Sequence, residues 1–263
     1  MKYIDTHTHV NLRAFKDDSV ETIQRALDAE VAIINVGTQI DTSRQAVALL
    51  DQFQENVYAA IGLHPSHTFA HDFEDGEEIK FKTREEHFDV AMYRELAQHE
   101  RVVGIGECGL DYYRLPEDRD HEEIKVLQRA AFQVQINLAL ELDKALCVHC
   151  RPSDGTLDAY EEMLELITAV KKEHASLRFE IHCYTGDAAT ALKFVELGGY
   201  IGLNGIITFD KTTRSREVVE AVPLENIILE TDAPYLTPKS HRGQRNEPSY
   251  FSDVAVLFAV CLN

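Results

Sequence analysis

The sequence has little that would place it in a membrane. No apolar run approaches the roughly 18 residues of a spanning helix, and no charged-then-apolar leader opens the chain. The five cysteines are an odd number in a long chain of 263 residues, which argues against a disulfide scaffold. We therefore expect a protein without membrane contact that works in the reducing cytoplasm.

Basic charge is also scarce. Lys and Arg total 26 against 45 Asp and Glu, which gives a net charge of −19 at pH 7. This balance argues against a broad basic surface that coats duplex DNA. It does not exclude a nuclease, because bound metal ions can supply positive charge where a phosphate binds. The apolar content of 44% is that of an ordinary globular enzyme.

Short β-like runs alternate with helix-like stretches along the whole chain. The predicted strands are residues 2–4, 31–36, 57–63, 102–105, 145–148, 177–181, 199–203 and 227–229. The predicted helices are residues 19–29, 41–53, 88–99, 120–142, 156–173, 187–197, 213–221 and 249–260. Eight βα units in about 250 residues predict an α/β fold of the closed (β/α)8 TIM barrel type, with an open doubly wound sheet as the alternative.

The chain contains no linker, low-complexity tract or internal repeat. We therefore expect one barrel domain over residues 1–263. One excursion interrupts the alternation after the third predicted strand. The acidic residues of 65–88 suit a surface loop insertion.

Polar side chains follow the predicted strands at the same end. Asp5, His7 and His9 alternate after the first apolar run, so an extended strand puts all three on one face. The ends of later strands supply further candidates: His64, Glu107, His149, His182 and Asp232. Catalytic residues of a barrel lie at the C-terminal ends of its strands. Each of these residues alone could be structural, but the set predicts a metal site at that face.

The mixture of imidazoles and carboxylates favours a two-metal hydrolytic centre. Two ions about 3.5–4 Å apart can hold the attacking and leaving oxygens of a displacement. Glu107 is the candidate bridge, and Asp232 is also a candidate general base toward the attacking water. Asp5 is expected to orient an imidazole. The ligands divide between the ions: His7, His9 and Asp232 on the first, His149 and His182 on the second.

Seven segments carry a resemblance to a known family. They are Asp5–His9, Gly62–Pro65, Gly106–Tyr113, Val148–Arg151, Ile181–Gly186, Glu230–Leu236 and Arg245–Pro248. In this order they resemble the TatD family of metal-dependent deoxyribonucleases, within the amidohydrolase-like hydrolases. The match runs from the first residues to Pro248.

The resemblance implies a TIM barrel, a divalent-metal centre and cleavage of phosphodiester bonds in DNA, as a DNase or 3′-to-5′ exonuclease. Its metal ligands fall on the six residues that the strand ends also indicate: His7, His9, Glu107, His149, His182 and Asp232. We expect two divalent ions and no organic cofactor. Relatives are described as Mg2+-dependent, whereas four imidazoles favour Zn2+, Mn2+ or Fe2+, so Mg2+, Mn2+ and Zn2+ stay candidates.

Three residues near these motifs are candidate substrate contacts. His64 and Arg151 could hold phosphate oxygens, since a guanidinium binds phosphate in a forked geometry. Tyr184 could stack on a base. The alternatives are a structural role for His64, an ion pair between Arg151 and Asp154, and core packing for Tyr184.

Two further contacts come from later loops. Asn204 stands where the family more often has Ser, and a substrate contact is expected there. Arg242 belongs to a basic cluster with Lys239, His241 and Arg245. We expect this cluster to contact nucleic acid, with a solvated surface loop as the alternative.

DNA is therefore the expected substrate, bound by a monomer or a weak oligomer. The nearest alternative keeps the same site but hydrolyses a small amide, lactone or phosphate ester. A metal-binding interaction protein without turnover is the alternative from another class. The complete ligand set and the candidate base favour an enzyme.

Overall fold

The computed structural model describes residues 1–75, 79–83, 85–210 and 212–261, and it shows a (β/α)8 barrel. Eight strands pair in parallel in this order: β1 (Tyr3–Thr8), β2 (Val31–Val36), β3 (Val57–Ile61), β6 (Val102–Asp111), β7 (Ala145–Arg151), β8 (Phe179–His182), β9 (Tyr200–Leu203) and β10 (Ile227–Leu229). The predicted fold class is confirmed.

The first and last strands meet through the residues that follow β10. The backbone N–H of Asp232 donates to the His7 carbonyl at 2.9 Å, and the N–H of His9 donates to the Ala233 carbonyl at 2.7 Å. The Thr6 hydroxyl donates to the Leu229 carbonyl at 3.2 Å. These bonds bring the two ends of the sheet together and place Asp232 beside His7 and His9.

Eight helices alternate with the barrel strands: α1 (Ser19–Asp28), α2 (Ile40–Leu50), α3 (Val90–Leu96), α4 (His121–Glu141), α5 (Asp158–Glu173), α6 (Ala188–Glu196), α7 (Arg214–Ala221) and α8 (Phe251–Cys261). Helix α4 begins where the Asp120 carboxylate accepts the N–H groups of Glu122 and Glu123. It buries Phe132 and Ile136, which are four residues apart, against the barrel. In the described parts of the chain, no helix has the length and apolar character needed to cross a membrane.

Strand β6 is much longer than the predicted strand at residues 102–105. Its second half pairs with β7, with Cys108 opposite Val148 and Asp111 opposite Arg151. The apolar run ends before Gly106, but backbone pairing with a long neighbour continues the strand beyond it. Glu107 therefore lies within a strand and not in the loop after it.

The excursion after β3 contains local structure. A short 3-10 turn at Pro65–His67 is followed by an antiparallel pair, β4 (His71–Asp75) and β5 (Ile79–Thr83). Residues 76–78 and 84 lie outside the described residues. The division of the chain into one domain with an insertion at 65–88 stays a prediction.

Candidate metal centre

His7 of β1 and His9, which directly follows that strand, point their Nε2 atoms at the same space. The Nε2 atoms of His7 and His9 are 3.0 Å apart, and both side chains are buried. The Nδ1 of His9 lies 2.9 Å from the Val36 carbonyl, and the Nδ1 of His7 lies 3.1 Å from the Cys147 sulfur. Because the outer nitrogen of each ring is held, both inner nitrogens are directed toward the barrel mouth.

The carboxylate of Glu107 lies between two groups of histidines. Its Oε2 is 3.6 Å from His7 Nε2 and 3.5 Å from His9 Nε2. Its Oε1 faces the second group, at 3.0 Å from His149 Nδ1, 3.4 Å from His64 Nε2 and 3.9 Å from His182 Nε2. One oxygen for each group is the arrangement that a bridging carboxylate needs.

Asp232 lies on the β1 side of this centre. Its Oδ1 is 3.5 Å from His9 Nε2, and it is 3.9 Å from the Nε2 atoms of His7 and His182. Its backbone has a φ of 55°, in the left-handed region that non-glycine residues rarely occupy. His182 is thus equidistant from Glu107 and Asp232, so the structure does not confine it to the second predicted group.

Acidic side chains support two of the rings from behind. His149 Nε2 lies 2.9 Å from Asp111 Oδ2, and His182 Nδ1 lies 2.9 Å from Glu230 Oε1. Glu230 is fully buried and its Oε1 also accepts the N–H of Cys183 at 2.8 Å. Asp111 and Glu230 lie inside the family motifs, but the sequence analysis gave neither a role.

Asp5 does not orient an imidazole, so that prediction is wrong. Its carboxylate accepts the backbone N–H of Thr231 at 2.9 Å, the Thr231 hydroxyl at 2.5 Å and the backbone N–H of His7 at 3.3 Å. Burial raises the pKa of Asp5 to about 8. The side chain joins β1 to the segment after β10, since backbone donors lie closer to it than either ring.

The site holds its histidines in different states of charge. Burial lowers the pKa of His7 to about 3, and the neighbouring His182 adds to this shift. Burial also opposes protonation of His149, but contacts with Asp111 and Glu107 raise its pKa to about 9. The pKa of His182 rises to about 10 against the effect of burial, because Glu230 and Asp232 lie beside it. The pKa of His9 is also raised, against the effect of burial, by its contacts with Asp232 and Glu107. At least His149 and His182 therefore hold protons at pH 7 when no cation is bound.

These residues fit divalent metal ions. Among the described residues, five sets of donor atoms lie within 4.8 Å of one another. Three of them face the barrel mouth: His7 with His9 and Glu107, His64 with Glu107 and His149, and His182 with Cys183 and Asp232. The other two lie behind His7, which groups with Cys147 and Glu180 and with His182 and Glu230. Imidazole and carboxylate donors suit Zn2+ and Mn2+. The carboxylates of the site raise the pKa of His149 and His182, which shows that the site has an excess of negative charge that a cation would neutralise. His64, predicted to contact a phosphate, joins the set around Glu107.

A sequence model described as TatD related DNase matches residues 4–261. The chain belongs to the TatD family. It is 35% identical over 257 residues to the uncharacterized metal-dependent hydrolase YabD of Bacillus subtilis, covering 97% of this chain and 89% of that protein. It is 32% identical over 262 residues to the 3′-5′ ssDNA/RNA exonuclease TatD of Klebsiella pneumoniae, covering 95% and 87%. The suspected family is confirmed, and with it a metal-dependent hydrolase.

A solved structure agrees with this assignment. The Escherichia coli TatD homologue YjjV superposes with a TM-score of 0.76 at 26% identity, over 98% of this chain and 90% of that one. The barrel and its strand order are therefore those of a TatD-family structure.

Two predicted substrate contacts of this TatD-family chain, Tyr184 and Asn204, are buried. Tyr184 is 5% exposed, packs on Tyr160 with ring centroids 4.9 Å apart, and donates its hydroxyl hydrogen to the Asp187 carbonyl. Asn204 is buried and its amide donates to Glu230 Oε1 at 3.0 Å. Both predictions need correction: Tyr184 packs in the core, and Asn204 holds the carboxylate behind His182.

Arg151 and Arg242 lie on the surface. The Arg151 guanidinium stacks 3.9 Å from the centroid of the Tyr113 ring, and among the described side chains it forms no ion pair with Asp154. Arg242 stacks 4.3 Å from the centroid of Phe209 and is exposed. Both side chains are exposed, so solvent reaches their guanidinium groups.

Arg245, by contrast, is tied to the body of the protein. It pairs with Asp18 at 2.6 Å and donates to the Ala14 carbonyl at 2.7 Å. The predicted basic cluster therefore divides, because one of its arginines is already neutralised.

Metal uptake should release protons. His149 and His182, with pKa values of about 9 and about 10, are charged at pH 7 in the metal-free protein, and a metal binds only the deprotonated imidazole. We expect about two protons to be released per chain at pH 7, and affinity should fall as the pH is lowered. Titration calorimetry with Zn2+ in buffers of different ionisation enthalpy measures this count.

A His149→Gln variant should release fewer protons, and exposed His174→Gln serves as the control. Heats that do not depend on the buffer would contradict the protonated state.

Arg245→Ala should destabilise the fold, whereas Arg242→Ala should leave the thermal midpoint unchanged. The Asp18 pair is partly exposed, so we expect a loss of about 1 kcal/mol in the free energy of unfolding. Arg245 lowers the pKa of Asp18 to about 2, so the contribution is present above the ordinary pKa of 3.8 and is lost as the pH falls toward 2. Urea unfolding at pH 7 and at pH 2 checks both points. Equal stability of the two variants would show that the pair contributes nothing.

Proposed function

We propose that this TatD-family protein is a two-metal deoxyribonuclease that cleaves phosphodiester bonds of DNA, with single strands entering from their 3′ ends. One observation carries the proposal: the two oxygens of Glu107 face separate groups of histidines. The Klebsiella pneumoniae relative, named as a 3′-5′ ssDNA/RNA exonuclease, supports the choice of substrate.

Divalent ions, when bound, would lower the pKa of a water molecule and neutralise charge on the phosphate oxygens. The protein's part is to fix the donors at set distances. Glu107 lies in the middle of β6, and this position puts one carboxylate oxygen near each of the two histidine groups. Asp232 is 8% exposed at the barrel mouth, where its carboxylate can accept the proton of the attacking water.

Phosphate binding is assigned to the two exposed arginines. Arg151 follows His149 by two residues on β7, so its guanidinium lies at the rim of the metal centre. Stacking on Tyr113 restricts the guanidinium plane and reduces the freedom lost on binding. Arg242 lies in the segment after β10, which also supplies Asp232. In this chain of net charge −19, these groups supply local attraction for a phosphate backbone.

The same net charge of −19 favours a second candidate, hydrolysis of a small amide, lactone or phosphate ester. The chemistry at Glu107 and Asp232 would be unchanged. Only the part of the site that selects the leaving group would differ.

We also place the protein in the cytoplasm. Cys108, Cys147, Cys150 and Cys183 are unpaired thiols, and the first three are buried in the core. A reducing compartment keeps such thiols in that state.

Glu107→Gln should reduce bound metal from two ions per chain to one or none. The amide keeps the shape of the side chain but removes the charge that faces both histidine groups. Elemental analysis after dialysis against Mn2+ or Zn2+ measures the ratio. Glu165→Gln, an exposed change on α5, is the matched control. Retention of two ions by Glu107→Gln would exclude the bridging role.

Asp232→Asn should lower the rate of DNA cleavage by about 100-fold or more, because the attacking water loses its proton acceptor. The assay uses 3′-labelled and 5′-labelled single-stranded DNA with Mg2+, Mn2+ or Zn2+, beside ester, lactone and phosphomonoester probes. Shortening from the 3′ end supports the proposal. Intact DNA together with hydrolysis of a small probe would favour the second candidate, and no turnover of any probe would favour a binding protein.

A further inference from the structure

A chamber of about 250 Å³ lies inside the barrel, on the far side of the metal ligands from the cleft. Its walls include Thr6, Ile34, Ala60, Cys147, Glu180 and Ile228. Cys147 and Glu180 precede His149 and His182 by two residues on their strands, so they lie on the same strand faces one layer deeper. Cys147 also contacts His7 Nδ1, but the space enclosed by these walls has no part in the proposed nuclease chemistry.

Small residues leave the chamber unfilled. Barrel interiors are normally packed with layers of bulky branched side chains. Here three neighbouring strands carry only small residues at this level, namely Ala60, Gly104 and Ala145. Wall atoms without partners lose dispersion contacts that an occupant would restore.

The mouth of the chamber is apolar and open to solvent. Val103 and Tyr200, at the N-terminal ends of β6 and β9, line it and are 37% and 41% exposed. Large apolar side chains held in solvent around a cavity are typical of a binding surface. A ligand with a hydrocarbon body can therefore enter the chamber from solvent while it stays in contact with the apolar side chains of Val103 and Tyr200.

Glu180 gives the chamber a charge preference. Its carboxylate lies beside the Cys147 thiol, and a ring nitrogen of His7 is within 4.8 Å. Among the described side chains it forms no ion pair with a Lys or Arg. Arg178, the basic residue of the wall, is bound to Asp143 at 2.8 Å. A carboxylate between apolar walls is costly unless a cation neutralises it. The chamber therefore combines an apolar enclosure with one acid that has no lysine or arginine partner among the described side chains.

We propose that the chamber binds an organic ammonium ion, with its charged group against Glu180 and its hydrocarbon body toward Val103 and Tyr200. The volume of about 250 Å³ holds roughly eight water-sized groups. A linear ammonium ion of about six carbons fills that space. A divalent metal ion would leave the apolar walls without contacts, so the chamber favours the organic cation.

The probe is n-hexylammonium, titrated by calorimetry into metal-loaded protein so that the metal centre is already occupied. We expect one saturable site per chain, with hexanoate showing no binding and 1-hexanol binding at least tenfold more weakly. Nuclear Overhauser contacts from the hexyl chain to the methyl groups of Ile34 and Ile228 should locate it. Absence of binding, or contacts elsewhere, would overturn the proposal.

Two variants separate charge from shape. Glu180→Gln should weaken hexylammonium binding at least tenfold, and Ala145→Phe should abolish it by filling the mouth; Glu165→Gln is the control. Circular dichroism and the thermal midpoint establish that each variant folds. If Ala145→Phe does not fold, Glu180→Gln and the comparison with 1-hexanol still decide. Equal affinity of Glu180→Gln and the wild type, or of hexanol and hexylammonium, would exclude an ammonium site.

Discussion

The position of one carboxylate organises the upper half of the barrel. Glu107 is 4% exposed and is surrounded by five imidazoles, so its charge is unscreened by water. Burial would raise its pKa, yet His64 and His149 hold the pKa of Glu107 well below its usual range. The rings have to remain close to this charge, and the charge would be unstable without them. The fold keeps the rings and the carboxylate together because His7, Glu107, His149 and His182 lie on four different strands of one barrel.

Residues behind the imidazole rings fix the directions in which the rings point. Asp111 and Glu230 contact the outer nitrogens of His149 and His182, while a backbone carbonyl does the same for His9. Asn204 in turn holds Glu230. Such partners set the direction of a ring and its basicity. The direction of the metal-facing rings therefore depends on residues that lie behind them.

The sequence predicts the barrel well because parallel strands are buried on both faces and read as short apolar runs, as in Val31–Val36. It also places the ligands at one face, since strand ends meet there. It could not show that β6 continues through Gly106, because that extension depends on pairing with β7. Nor could it show that Tyr184 turns into the core or that Cys147 contacts His7, since neither orientation has a motif.

The extension of β6 has a consequence for how such a protein can change. His149 and His182 are opposite each other in the β7–β8 pairing, whereas His7 and Glu107 lie where the β1–β2 and β6–β7 registers shift. The strands of the barrel and these two irregularities therefore set the spacing of the four side chains. Loops can lengthen or exchange residues without altering that spacing. The type of reaction therefore depends on residues of the sheet, whereas substrate preference can change through substitutions in the loops. Relatives with the same ligands can accordingly act on different molecules.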